Sequence, residues 1–221
     1  GVILQGLGKL EEAEKWFRQA ILLKPDFADA HSNLGNILKE FGNLEEADIS
    51  YRKAIKHKPN FANAHSNLGN ILKDLGNLKE AEISYRKAIE LNPNFPEAHY
   101  NLGIILKEYG NSKEAELYYR KAIKLKPDYS QAYYNLGNVL SDFSNYDDAL
   151  NQYKQALKFN NELSLAKTAI IKTKANICDW SDENTHSTWL NSLGIEGNSI
   201  NPWELYSIED DPLKHLKRSI K

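Results

Sequence analysis

The chain has 221 residues, of which 41% are hydrophobic and 26% charged, with a formal net charge of −2. That balance is far from the composition of disordered chains, and it leaves no global field to draw the protein onto nucleic acid or an anionic membrane. Apolar runs such as Ile104-Ile105-Leu106 are much too short to span a bilayer, and the lone Cys178 excludes an intramolecular disulfide and suits a reducing, cytoplasmic setting.

Along the chain the dominant signal is self-similarity. Residues Ala28–Phe61 and Ala62–Phe95 align without gaps over 34 positions, 26 of them identical. Pro96–Tyr129 and Ser130–Leu163 keep the period with more drift, and Gly1–Phe27 fits the last part of an earlier repeat. The expected organisation is therefore a partial repeat at 1–27, repeats at 28–61, 62–95, 96–129 and 130–163, and a capping helix with the start of a following region at 164–221. Because Gly1 falls inside a repeat and methionine is absent, the chain is expected to be a fragment of a larger protein.

Each block reads as helix, turn, helix, turn. The first helix carries small and apolar residues at helical spacing, Ala30, Leu34 and Leu38 in one block and Ala64, Leu68 and Leu72 in the next. Gly35, Gly69, Gly103 and Gly137 sit inside it, where Gly costs about 1 kcal/mol against Ala, so the second helix is expected to approach closely there. Gly42, Gly76 and Gly110 supply a left-handed stop to the first helix, whereas Ser144 takes that position in the last block and should strain the turn. The second helix shows Ala47, Tyr51 and Ala54, repeated as Ala81, Tyr85, Ala88 and as Ala115, Tyr119, Ala122, with one tyrosine per block filling the space between helices. Pro25, Pro59, Pro93 and Pro127 follow and end each pair.

The series Leu34-Gly35, Gly42, Ala47, Tyr51, Ala54, Pro59 resembles the signature of the tetratricopeptide repeat family, with His31 standing where that family often has Trp. The resemblance covers about residues 1–163. It implies an all-α fold, a right-handed superhelix of antiparallel helix pairs whose first helices line an inner groove, closed by a C-terminal capping segment. Stacking is required because one pair cannot bury its own apolar face.

On the inner helices, Asn33, Asn67, Asn101 and Asn135 recur one period apart, and Asn36, Asn70 and Asn138 lie one turn further on, with Ile104 interrupting that second row. An amide offers two donors and an acceptor, so such a ladder can grip a peptide main chain whatever its side chains. The competing reading is that these amides bond neighbouring repeats or water. Asn has no advantage for helix stability, which favours the binding role. Lys39, Lys73 and Lys107, each followed by an acid, form a solvated mixed-charge stripe. With Ser32, Ser66, Tyr100 and Tyr134 beside the asparagines, the inner face does not match the carboxylate clamp of some members of the family. His31, His65 and His99 would stand roughly 10 Å apart by helix packing, too far to share a metal ion, and are expected to pack between helices, with Tyr133 in the last block. No cofactor is expected.

After Leu163 the period is lost. Residues 162–175 read as one more helix, with Leu163, Ala166, Ala169 and Ile170 on its apolar stripe. Beyond it lie Cys178-Asp179-Trp180, Trp189 and Pro202-Trp203. An array of the Ala30-His31-Ser32-Asn33-Leu34-Gly35-Asn36 type followed by Cys178-Asp179-Trp180 also resembles the junction between repeats and catalytic region in O-linked N-acetylglucosamine transferases and their SPINDLY-type relatives. That resemblance implies an acceptor-recognition arm, with the asparagine ladder gripping acceptor polypeptides. Both nucleotide-sugar lobes of that family would lie beyond Lys221, and no Gly-rich phosphate loop is present. Cys178 and His186 as nucleophile and base, or Asp179, Asp182 and Glu183 as acids, are outweighed by structural roles, so no catalytic residue is assigned. The expectation is a non-enzymatic scaffold whose partner is an extended polypeptide, not nucleic acid or membrane. An assembly scaffold is the further alternative, and Val2, Ile3, Leu4 and Leu7 at the incomplete first repeat invite end-to-end self-association.

Overall fold

The computed structural model describes residues 8–177. Every regular element among them is an α-helix: α1 (Leu10–Leu23), α2 (Ala28–Glu40), α3 (Leu44–His57), α4 (Ala62–Asp74), α5 (Leu78–Leu91), α6 (Pro96–Glu108), α7 (Ser112–Leu125), α8 (Ser130–Asp142), α9 (Tyr146–Phe159) and α10 (Ser164–Asn176). The all-α class and the helix-turn-helix reading of each block hold. By its internal packing the chain divides into two units, Gly1–Ala132 and Tyr133–Lys221, with the boundary inside α8.

Within the first unit the pairs α2/α3, α4/α5 and α6/α7 are built alike. The first helix buries Ala30, Leu34, Ile37 and Leu38 or their equivalents, and the second buries Ala47, Tyr51 and Ala54 or theirs. The glycine inside the first helix has a specific cause. A Cβ on Gly69 would lie 2.7 Å from the ring of Tyr85, and one on Gly35 2.9 Å from that of Tyr51. The ring lies flat on the bare backbone, so the tyrosine that fills the space and the glycine that provides it are one packing unit.

The turn inside each pair is closed by the left-handed glycine. Gly42 has φ +78°, its N–H donates to Lys39 at 2.9 Å, and the Asn43 N–H donates to Leu38 at 2.8 Å. These two bonds satisfy carbonyls that the helix end would otherwise orphan. In the second unit Ser144 adopts φ +59° at the same register, as expected for the turn without glycine. Between pairs the chain leaves the helix through an extended residue, Lys58 at φ −140° and ψ 81°, because the following Pro59 disfavours helical backbone before it.

Successive second helices of the first unit are also tied by ion pairs. Arg18 bonds Glu14 on its own helix and reaches Glu46 on the next second helix at 2.7 Å; Arg52 does the same with Asp48 and Glu80, and Arg86 with Glu82 and Glu114.

In the second unit α9 packs against α10, which spans Ser164–Asn176 and so starts and ends slightly later than the expected 162–175. Its burial differs from the expected stripe. Ala166 is buried, but Leu163, Ala169 and Ile170 are only half-buried, while Ile171, Thr173 and Lys174 are buried. No helix among the described residues is long and apolar enough to cross a membrane. The residues invoked for end-to-end association (Val2, Ile3, Leu4, Leu7), and Cys178-Asp179-Trp180, His186 and the rest of the chain to Lys221, lie outside the described residues.

Candidate functional site

In the first unit, helices α2, α4 and α6 carry Asn33, Asn36, Asn67, Asn70 and Asn101, all half-buried. Four of them, Asn36, Asn67, Asn70 and Asn101, form a relay in which each link joins two helix pairs. The Tyr51 hydroxyl, reaching across from α3, donates to Asn36 Oδ1 at 2.7 Å, and the same oxygen accepts from Asn67 Nδ2 at 3.0 Å. One period on, Tyr85 donates to Asn70 Oδ1 at 2.8 Å, which accepts from Asn101 Nδ2 at 2.9 Å. In the second unit Tyr153 donates to Asn138 Oδ1 at 2.9 Å, and Asn135 on α8 is likewise half-buried.

The two rows therefore differ. Asn36 and Asn70 have their acceptor oxygen fully occupied, so they act as brackets. Asn67 and Asn101 spend one amide hydrogen on the bracket, and their own Oδ1 makes no hydrogen bond among the described residues. The bracket fixes the direction in which that free oxygen and the second amide hydrogen point. A bond between neighbouring repeats and an unspent amide oxygen thus coexist on one side chain.

An open concavity of about 440 Å³ is lined by Asn36, Lys39, Glu40, Tyr51 and Asn67. Lys39 and Glu40 are exposed at its edge, in keeping with the mixed-charge stripe. Burial first, and Glu40 second, raise the Tyr51 hydroxyl pKa well above its ordinary value, so it remains a protonated donor. Burial acts in the same direction on Tyr85, Tyr119 and Tyr153. The tyrosines fill the space between helices, as their spacing predicts, and their hydroxyls also orient the asparagines. The signal was available in the constant separation of Asn36 from Tyr51, Asn70 from Tyr85 and Asn138 from Tyr153.

The repeated histidines belong to the scaffold. Nε2 of His31, His65 and His99 lies 2.9, 3.0 and 2.8 Å from the carbonyls of Pro25, Pro59 and Pro93, so each ring donates from Nε2 to the turn before its helix. His31 also stacks on His57 with ring centroids 5.7 Å apart, and His99 on Tyr118 at 5.7 Å. In the second unit Tyr133 stacks on Phe159 at the register of the His31–His57 pair, at 5.7 Å.

Comparison with known proteins agrees with this fold. Family models described as TPR repeat match residues 4–42, 35–76 and 69–110, and models described as tetratricopeptide repeat match 96–129 and 118–158. Among solved structures, pilF of Pseudomonas aeruginosa is similar with a TM-score of 0.77 at 19% identity, covering 100% of this chain and 93% of that one. MamA from Desulfovibrio magneticus RS-1 gives 0.69 at 21% identity, covering 78% and 97%. YrrB, described as a TPR protein with an unusual peptide-binding site, gives 0.68 at 23% identity, covering 83% and 93%. At these identities the likeness is one of fold. No curated protein sequence matches the chain. The 34-residue period, the glycine-tyrosine pairs and family matches that together run from residue 4 to 158 lead to one conclusion: the chain belongs to the tetratricopeptide repeat family.

Proposed function

We propose that the chain is a protein-interaction scaffold that holds an extended polypeptide against its first helices. The observation that carries this reading is the bracketed amide, Asn67 on Asn36 and Asn101 on Asn70, which leaves an oriented acceptor and donor at each repeat. Packed helices stand about 8–10 Å apart and an extended strand rises about 3.3 Å per residue, so successive first helices meet the main chain about every third residue. Main-chain groups are common to all sequences, hence modest side-chain preference. The residues assigned to the grip are Asn33, Asn36, Asn67, Asn70 and Asn101 in the first unit and Asn135 and Asn138 in the second. A neighbour of the same fold with a peptide-binding site supports the reading. Cysteine usage favours work in the cytoplasm.

The direct test replaces Asn67 and Asn101 together by Ala and measures binding of fluorescein-labelled extended peptides by anisotropy. The expected result is weakened binding with helical circular dichroism unchanged. Equal affinity in the double variant would remove the amides from the binding surface.

A second reading is favoured by the sequence Cys178-Asp179-Trp180 after the array: an acceptor-recognition arm of an O-linked N-acetylglucosamine transferase-like enzyme. The coding sequence downstream of Lys221 tests it, since a reading frame too short for two nucleotide-sugar lobes eliminates it. Self-association through the apolar residues Val2, Ile3, Leu4 and Leu7 is a further reading, and light scattering at high concentration that shows only monomer eliminates it.

A further inference from the structure

The relay of tyrosine hydroxyl to asparagine oxygen is broken at one repeat. Three equivalent tyrosines, Tyr51, Tyr85 and Tyr153, donate to an asparagine at a fixed separation in sequence. For Tyr119 the residue at that separation is Ile104, which has no acceptor, and the Tyr119 hydroxyl makes no hydrogen bond among the described residues. Its ring is nevertheless placed like the others: a Cβ on Gly103 would lie 2.7 Å from it. The equivalent Tyr51 lines the open concavity of its repeat, and Tyr119 at the same register is only 1% exposed, covered by its neighbours in the absence of a ligand.

The surroundings change together with the missing acceptor. The buried Ser32 and Ser66 of the earlier repeats are replaced by Tyr100, whose ring lies 4.8 Å from that of Tyr129 and 6.0 Å from that of Tyr119. Ile104, Tyr100 and Tyr129 are all half-buried. Where the preceding repeats offer serine and amide, this one offers an aliphatic side chain, two aromatic rings and an unused hydroxyl donor.

Resting on the extended-polypeptide reading above, the geometry points to a specificity subsite at the α6/α7 pair that takes one apolar side chain of the bound polypeptide. The side chain packs on Ile104, Tyr100 and Tyr129, and the adjoining main-chain carbonyl accepts from the Tyr119 hydroxyl. The ligand thus supplies the acceptor that an asparagine supplies at the other repeats. A polar hydroxyl in an apolar setting gains most from a partner when water is displaced, so the apolar side chain and the hydrogen bond reinforce each other. By the spacing argued above, the anchor falls about three residues along from the residue met by Asn67.

The experiment uses the whole chain and fluorescein-labelled octapeptides of alanine and serine, in which Leu, Phe, Glu or Lys is placed at each position in turn. Wild type is expected to prefer Leu or Phe at one position over the unsubstituted peptide. Y119F is expected to weaken that peptide about 5- to 10-fold, the worth of one hydrogen bond, while its Tm stays at the wild-type value. Y85F is expected to lower Tm, because its hydroxyl already serves Asn70. Loss of binding in the Asn67, Asn101 double variant, without any positional preference for Leu or Phe in wild type, overturns the subsite and leaves the amide grip standing. Wild-type affinity in Y119F, or a fall in Tm matching that of Y85F, also overturns the subsite. Failure of wild type to bind any of the octapeptides overturns both the subsite and the grip.

Discussion

His99 shows how much a single ring contributes when it is used at both ends. Its Nε2 donates to the Pro93 carbonyl, its face stacks on Tyr118, and its Nδ1 is buried with no partner among the described residues. Burial, opposed in part by the Pro93 bond and aided by nearby Lys121, lowers its pKa below the usual histidine value. A base whose folded pKa is depressed binds fewer protons folded than unfolded, so stability rises with pH. The contribution is fully present above the unfolded value of about 6.5 and is lost as pH falls through and below it. The chain itself suggests the control, because Tyr133 holds the same position in the next repeat, where it stacks on Phe159 at the register of His57. In thermal melts between pH 8 and pH 5, His99→Tyr should lose less Tm than wild type; parallel losses would mean that His99 takes no part in the acid sensitivity.

At the scale of the element, the turn is the part that glycine decides. Gly42, Gly76 and Gly110 share φ +78°, and Ser144 reaches φ +59° while keeping the same pair of closing bonds, Ser144 N–H to Ser141 and Asn145 N–H to Leu140, both at 2.9 Å. A left-handed conformation costs a non-glycine residue about 1–2 kcal/mol, and Gly forfeits roughly 0.5–1 kcal/mol of that through its freer unfolded chain. Ser144→Gly should therefore stabilise the protein by about 0.5–1 kcal/mol in urea unfolding. A destabilised variant would show that the serine makes a compensating interaction.

This turn was legible from sequence because φ leaves a compositional mark: few residues besides Gly and Asn tolerate it. The glycine inside the first helix was legible for a similar reason, as a residue with no local benefit repeated at one register. The asparagine relay was only half legible. Helical periodicity assigns Asn36 and Asn67 to a face, but it carries no information on a hydroxyl arriving from a different helix. The stripe on α10 was misread at Ile170 because periodicity identifies an apolar face without showing which part of it the neighbouring helix covers.

Across the first unit, stability depends on how well neighbouring pairs are joined, since an array is approximately a sum of pair and interface terms. The arginine ladder acts on that interface. Arg18, Arg52 and Arg86 are each held by an acid of their own helix before they reach Glu46, Glu80 and Glu114 on the next second helix. Their side chains are partly exposed, 48% for Arg52 against 57% for Glu80, so each pair is worth only about 0.2–1 kcal/mol. Fixing the guanidinium in advance lowers the entropy lost in making the second contact, which places these rungs toward the upper part of that range. Replacing all three arginines by Gln keeps most of the aliphatic stem and removes the charge, and should destabilise the protein by about 1–3 kcal/mol at low salt. The difference should shrink in 1 M NaCl, where the screening length falls to about 3 Å. Equal urea midpoints at low salt would assign the cohesion of the array to its apolar interfaces alone. A salt-independent loss would mean that the arginines act through packing of their stems.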